Sequence, residues 1–467
     1  MRWLAVFLAL AFLFPAVAAG GPPGTWTKVT GTVQPNLNID GLSAARTPDG
    51  RLHFLSVRRS GLGGAVQHGA LSADAKTLSP VSDVFAYPGG VNEDPFLLAV
   101  SGGLRAFFAG LWNGPHPLQS GLATATSSDG AAWAVKPTLA SSANPPAPVY
   151  AASGIGAALL GNGTPLTAWG SPGGAAHLGI DPFAPDIVYE SDCCGQSVYE
   201  PGIGVDAATG QAVVAWKFIS NTGAAGTAAR ALLPAGPRVQ PPGGAAADSL
   251  IQTGITGRLG GKDGVYLAYE QGTNQFLARP AVWRFGGAKA TTLSSQTGAR
   301  SIGITPAPEG RLWVYWHRQG KITARRSNKA ATAWGAPQTV APATGTQTIY
   351  RVTGEGSAGP LDAFGLFDRG GNDRGYWQTR ILPVLTLTAT KGKTTTKKVG
   401  KKIVKKVKVT FAVRDVGDPV PGATVSVGGG AKTTGGDGKV TFTLAPGKHS
   451  AQAKKSGYVP GKTTVKT

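Results

Sequence analysis

The chain is short of cysteine and of charge. Only two of its 467 residues are cysteine, adjacent as Cys193-Cys194, and only 15% are charged, little for a helix-rich soluble protein. Long helices are further excluded by punctuation: 69 glycines and 34 prolines fall every few residues, and no 18-residue window keeps a 3.6-residue apolar period. The six histidines, at 53, 68, 116, 177, 317 and 449, show no ligand spacing, so no metal site and no cofactor are expected. There is no HExxH motif and no serine elbow, and stretches such as Gly161-Asn162-Gly163 lack the following helix that a phosphate loop needs. After the first 14 residues no second long apolar run occurs, so no transmembrane segment is expected.

What is present points to export and to strands. Arg2, an apolar stretch over residues 3–14 and the A-x-A site Ala16-Val17-Ala18 have the order of a signal peptide, expected over 1–19, which makes the protein secreted or extracellular. In that oxidising space Cys193 and Cys194 form either a vicinal disulfide, a strained ring of the kind that marks ligand loops, or two reduced or intermolecular thiols. The rest of the chain is dominated by apolar runs of four to eight residues bounded by Gly, Asp, Asn and Pro, the pattern of an all-β protein.

Those runs repeat. An apolar strand, a Gly- or Asp-rich turn and a second strand with an aromatic recur as GLSAARTPDGRLHFLSVRR, FLLAVSGGLRAFFAG, IGAALLGNGTPLTAW, IGVDAATGQAVVAW, ITGRLGGKDGVYLAY and IGITPAPEGRLWVYW, with a poorer copy over 352–367. The aromatics Phe54, Phe108, Trp169, Trp216, Tyr269, Trp316 and Phe367 follow one another at roughly fifty-residue intervals, the period of four-stranded propeller blades. The expected fold over residues 20–383 is a β-propeller of seven blades, with six as the alternative. The last unit lacks a clear fourth strand, and residues 26–33 look like the strand that completes it and closes the ring.

Two resemblances follow from particular motifs. Ser127-Ser128-Asp129-Gly130-Ala131-Ala132-Trp133 resembles the Asp-box hairpin of sialidase-like (BNR) propellers, with Ser327-Asn328 and Trp334 as a degenerate second copy. The resemblance implies a structural role for Ser127, Asp129, Gly130 and Trp133: the Asp caps the turn between third and fourth strands, and the Trp packs between blades. From Val384 the pattern changes to strict alternation, and Asp418-Pro419-Val420-Pro421-Gly422 with Lys455-Ser456-Gly457-Tyr458 resembles carboxypeptidase-regulatory-like or Cna-B-like Ig-type modules. Residues 384–467 are therefore expected to form a small C-terminal β-sandwich. They contain no Asn, which excludes the Lys–Asn crosslink of some relatives.

The formal charge of +21 is concentrated at that end. Residues 384–467 hold 17 Lys and Arg against 3 Asp and Glu, densest at Lys391, Lys393, Lys397, Lys398, Lys401, Lys402, Lys405, Lys406 and Lys408. In an exported protein this suits an anionic envelope polymer rather than nucleic acid, or else a solvated, self-repelling linker. In the propeller, polar residues on loops entering the first or leaving the second strand of each unit share one face. They are Asp40, Glu93, Asp94, Tyr199, Glu200, Arg300 and Arg351 on the entering loops, and Arg58, Trp112, Glu270, His317 and Asp368 on the leaving ones. The sialidase resemblance implies arginines gripping a carboxylate (Arg58, Arg300, Arg351), a Tyr199–Glu200 pair and an acid at Asp40 or Asp94. The Phe/Tyr-Arg-Ile-Pro motif of that family is missing, and neighbours on an extended strand point to opposite sides. The expected function is non-catalytic recognition or scaffolding, binding carbohydrate or an anionic envelope polymer through the loops and the basic module. The alternative is an exo-acting glycoside hydrolase of sialidase type. Oligomeric state is not fixed by sequence.

Overall fold

A computed structural model describes residues 25–31, 41–60, 63–87, 95–111, 120–136, 153–170, 176–180, 187–190, 196–220, 224–245, 253–274, 276–371, 373–399 and 401–467. The signal peptide over 1–19, Asp40, Glu93, Asp94, Trp112, Cys193 and Cys194 lie outside them. Among the described residues no helix is long and apolar enough to cross a membrane.

The described chain is all-β, in a β-propeller-like arrangement. Seven small antiparallel sheets follow one another, spanning residues 42–87, 96–136, 153–190, 196–233, 254–292, 300–340 and 348–381. Each runs first strand, second, third, then fourth, except that the fourth sheet has three strands, its outer edge bridged at Ala229–Val239. The first strand of each sheet packs on the first strand of the next, and that of the seventh packs on that of the first. The seventh sheet takes its outer strand from the N-terminus: Thr27–Lys28 pairs with Arg374–Ile381, Thr27 opposite Gln378 and Lys28 opposite Trp377. The expected closing strand is therefore present, with Val29 N–H donating to Tyr376 O at 2.9 Å just beyond it.

The sequence repeat has a direct counterpart in packing. Apolar side chains of adjacent sheets form seven separate core layers, and each layer holds one of the seven periodic aromatics: Phe54, Phe108, Trp169, Trp216, Tyr269, Trp316 or Phe367. All seven are 3% exposed or less. The recurring Gly beside Ile in the first strands also has a cause. A Cβ on Gly202 would stand 2.5 Å from Thr253 O of the next sheet, and one on Gly156 2.5 Å from Pro201 O, so the inner strands approach too closely for any side chain.

The Asp-box segment forms the turn between Ser120–Ser127 and Ala134–Lys136. Gly130 N–H donates to Ser127 Oγ at 2.8 Å, Ala131 N–H to Asp129 Oδ1 at 2.8 Å, and Trp133 Nε1 to Gly130 O at 3.1 Å. Gly130 has φ +86°, and a Cβ there would meet His68 at 2.4 Å. In the sixth sheet Asn328 replaces the Asp: its Oδ1 accepts from Thr332 N–H at 2.9 Å and Ala333 N–H at 3.2 Å.

Residues 385–466 form two further sheets around one core of Leu385, Val409, Phe411, Val425, Ala453 and their neighbours. The lysine run is not a linker. It is the outer half of a hairpin of two 14-residue strands, Thr386–Val399 and Lys402–Asp415. The alternation already visible at 407–411 continues through the lysines, so the backbone pairs instead of remaining coil. Nor does the segment hold the two parts apart. Asp415, 1% exposed, accepts from Arg326 of the sixth sheet and from Tyr458 OH at 3.2 Å. Buried Arg311, also of the sixth sheet, reaches Asp418 at 2.7 Å and Asp415 O at 3.3 Å.

Candidate binding site

The inner strands carry a common irregularity. Register shifts fall at Gly154 (φ +62°), Glu200 (φ +48°), Ser301 (φ +51°) and Tyr350, each in the first half of a first strand. Such bulges re-aim side chains and are stored strain at non-glycine positions. Here they hook each sheet to a neighbour: Thr253 N–H donates to Glu200 O at 2.9 Å, and Ser301 Oγ to Tyr350 O at 3.4 Å. At Tyr199–Glu200 the bulge cancels the plain alternation expected of an extended strand. The Glu200 carboxylate stands so close to Gly154 of the third sheet that a Cβ there would lie 2.4 Å from it.

Inside these strands lies a cavity of about 510 Å³, lined by the first strands of all seven sheets. At the end where those strands begin, the mouth, its polar lining is Thr253, Ser301 and Arg351. Thr253 is 3% exposed and its Oγ has no hydrogen-bond partner among the described residues. At the other end Arg46 donates to Glu355 at 3.0 Å and to Asp362, which Arg380 holds at 2.8 and 3.0 Å and Gln378 at 2.8 Å. Burial pushes the Asp362 carboxyl up, opposed by Arg380 and Arg46. This network joins the seventh sheet to the first and closes the ring.

Of the described residues singled out from sequence, the three arginines do not converge. Arg351, 5% exposed, lines the cavity. Arg300 is half-buried outside it, with its guanidinium 4.5 Å over the Phe276 ring. Arg58 is on the outer surface of the first sheet: it donates to Asp83 on the fourth strand at 2.8 Å, both side chains over 40% exposed. The three-arginine clamp implied by the sialidase resemblance is therefore not assembled. Strand pairing, invisible in sequence, gives Arg58 a nearer partner. Asp368 is a loop brace, held by Arg374 at 2.6 Å, Gly370 N–H at 2.8 Å and Tyr350 OH at 3.3 Å, and Arg374 keeps its carboxyl below the usual range. Glu270 is buried at 1% exposure, and His317 stands opposite Arg300 in the ladder. Tyr199 is half-buried.

Sequence reasoning passed over Phe276 and Leu277. They are 62% and 65% exposed at the same end of the ring, in the turn after Tyr266–Gln271. Asn274 fixes that turn: Phe276 N–H donates to its Oδ1 at 2.8 Å and Leu277 N–H to its carbonyl at 3.1 Å. The available signal was an apolar pair inside a turn-rich stretch, where the aromatic has no alternating neighbours to pack with.

A second candidate surface is the lysine hairpin. Lys439–Leu444 pairs with it only over 407–412, so the five residue pairs from Thr395–Lys406 to Val399–Lys402 form a two-stranded ribbon. At about 3.4 Å per residue it projects roughly 17 Å. Lys397 and Lys406 share one face, Lys398 and Lys405 the other, and all four are exposed. No Asp or Glu occurs between residues 386 and 414.

Neither a family model nor a curated protein matches the chain. Among solved structures it is similar to a polysaccharide lyase, an ulvanlyase bound to -[GlcA(1-4)Rha3S]-, at 10% identity and TM-score 0.47, over 77% of this chain and 94% of that one. It is also similar to a Hadza microbial sialidase at 13% identity and TM-score 0.42, over 74% and 65%. A lectin in complex with alpha methyl fucoside matches at 15% identity and TM-score 0.39, over 67% and 99%. At TM-scores below 0.5 such likenesses carry no argument about chemistry.

Proposed function

We propose that the protein is a secreted, seven-bladed β-propeller with a C-terminal Ig-like sandwich over 384–467, and that it is a non-catalytic binder of anionic carbohydrate polymer. The single observation that carries this reading is the ribbon: nine lysines over 391–408, no acid, and cations on both faces. A merely solubilising surface mixes signs, since a single-sign field repels itself and is retained where it steers a partner. Insertion into a lipid surface would require one apolar face, but the exposed Ile403 and Val404 lie on opposite faces, opposite Lys398 and Lys397. A flexible polyanion can meet both. The buried Arg311–Asp418 and Arg326–Asp415 pairs hold the ribbon in a fixed relation to the propeller, so polymer held by one part lies near the other. The scattered arginines favour this reading over the glycosidase alternative.

Titration of the full chain with dextran sulfate, with neutral dextran as control, tests it. Binding only to the sulfated polymer, weakened at least tenfold in the quadruple variant Lys397→Gln, Lys398→Gln, Lys405→Gln, Lys406→Gln, is expected. Equal binding by the variant overturns the role of the ribbon. Binding to anionic vesicles but not to dextran sulfate would reassign the ribbon to lipid.

A further inference from the structure

The propeller mouth holds a second feature that the ribbon does not explain. Phe276 has one ring face against the Arg300 guanidinium and is still 62% exposed, so its other face and edge are open to water. Leu277 beside it is 65% exposed. Burying such side chains is worth about 1.5–3 kcal/mol each, and the turn has been built instead to present them. The presentation is rigid: Asn274 closes the turn, and Gly298 N–H ties it to the segment leading into the sixth sheet by donating to Ala278 O at 2.9 Å.

Three arginines neighbour the pair. Arg279 follows the pair on the same sheet, Arg300 lies under the ring, and Arg318 is anchored alongside by Thr297 O at 2.5 Å and Gln296 Oε1 at 3.0 Å. Segments 271–284, 293–301 and 317–321 contain no acidic residue, and Glu270, just before the first of them, is buried at 1% exposure. One residue on from Arg300 is Ser301, on the cavity wall, and the same wall holds the buried, unpartnered Thr253 hydroxyl. An unpaired buried hydroxyl costs free energy until something hydrogen-bonds to it.

We infer that this mouth is a binding subsite for an acidic oligosaccharide, a glycan bearing carboxylates. One pyranose ring lays its C–H face on Phe276 while its carboxylate meets the arginines. The adjoining sugar reaches the mouth, where a hydroxyl pairs with Thr253 Oγ. The proposal deepens the anionic-carbohydrate reading and rests on it for the class of partner, but it uses a different surface. The ribbon supplies charge attraction without shape, and the mouth reads a sugar ring.

The test is calorimetric titration of the full chain with tetragalacturonate, with a neutral cello-oligosaccharide of equal length as control. Phe276→Ala removes a solvent-facing ring, so an unchanged melting temperature is expected along with at least a tenfold loss of affinity. Thr253→Val is expected to weaken binding about threefold to tenfold, and the four-lysine ribbon variant to bind the tetrasaccharide as the wild type does. Absence of binding at millimolar tetragalacturonate overturns the inference, as does equal affinity for the neutral sugar or wild-type affinity in Phe276→Ala. Loss of tetrasaccharide binding in the ribbon variant alone would instead return all recognition to the ribbon. Binding of tetragalacturonate without binding of dextran sulfate would keep the mouth and remove the ribbon.

Discussion

At the scale of single residues, the most informative pair was hidden among histidines without metal spacing. His53 Nδ1 and His68 Nε2 are 3.0 Å apart, both rings are buried, and Trp133 of the Asp-box turn stands edge-on to His68 at 5.3 Å. Burial pushes both imidazoles down, His68 to about 4, with His53 and Arg51 adding to the effect on His68. Asp49 and Asp129, the acids that face the pair, pull the other way and are outweighed. The pair is thus neutral in the folded protein. Below about 6.5 the unfolded chain takes up protons that the folded chain refuses, so stability is full above that pH and falls as pH drops toward about 4. The loss approaches about 3 kcal/mol for His68. Melting temperature measured from pH 7.5 to 4 should fall less steeply in His53→Gln, His68→Gln than in the wild type. Parallel curves would remove the pair from the acid response. The sequence showed the box but not its neighbours. Ser127, Asp129, Gly130 and Trp133 are read from the resemblance of one local motif, whereas the histidines meet them only through the packing of one sheet on the next.

At the scale of elements, legibility follows the range of the interaction. The seven aromatics could be placed because each sits in the second strand of a local hairpin, and each occupies one inter-sheet layer. The closing strand was legible too, since the last unit lacked a fourth strand and residues 26–33 alternate. Its anchors are the Trp26 ring at 4.7 Å from Phe367, Trp26 Nε1 donating to Ala341 O at 2.8 Å and Lys28 at 2.6 Å from Asp373. Deletion of residues 24–34 exposes the Arg374–Ile381 edge, and the melting temperature should fall by at least about 5 °C with an increase in aggregation. An unchanged melting temperature would contradict closure by this strand. The bulges at Glu200 and Ser301 were not legible, because alternation reads straight through them. Arg58 was misplaced for a related reason: its partner Asp83 is two strands away, at a register that only the folded sheet defines. Phe276 and Leu277 were missed because an apolar pair in a turn reads as ordinary core.

At the scale of the whole molecule, charge and architecture are divided between two parts that share a buried junction. The propeller supplies a cavity, a mouth with an apolar ledge and a ring closed at the Arg46–Asp362 network. The C-terminal sheets supply the lysine ribbon, whose open edges the like charges also protect from self-pairing. Arg311, Arg326, Asp415 and Asp418 tie the two together, and removing one partner of such a pair leaves an uncompensated charge. The basic excess was plain from sequence, but its organisation as a two-faced ribbon needed the strand register. Binding by that ribbon is expected to act through charge. The most direct test is dextran sulfate affinity of the full chain across a salt series from about 50 to about 500 mM, a range over which the screening length shrinks from about 14 to about 4 Å. Affinity that falls steeply with salt in the wild type, with a much shallower slope in the four-lysine variant, is the predicted result. Salt-independent binding, or equal slopes for the two proteins, would contradict it.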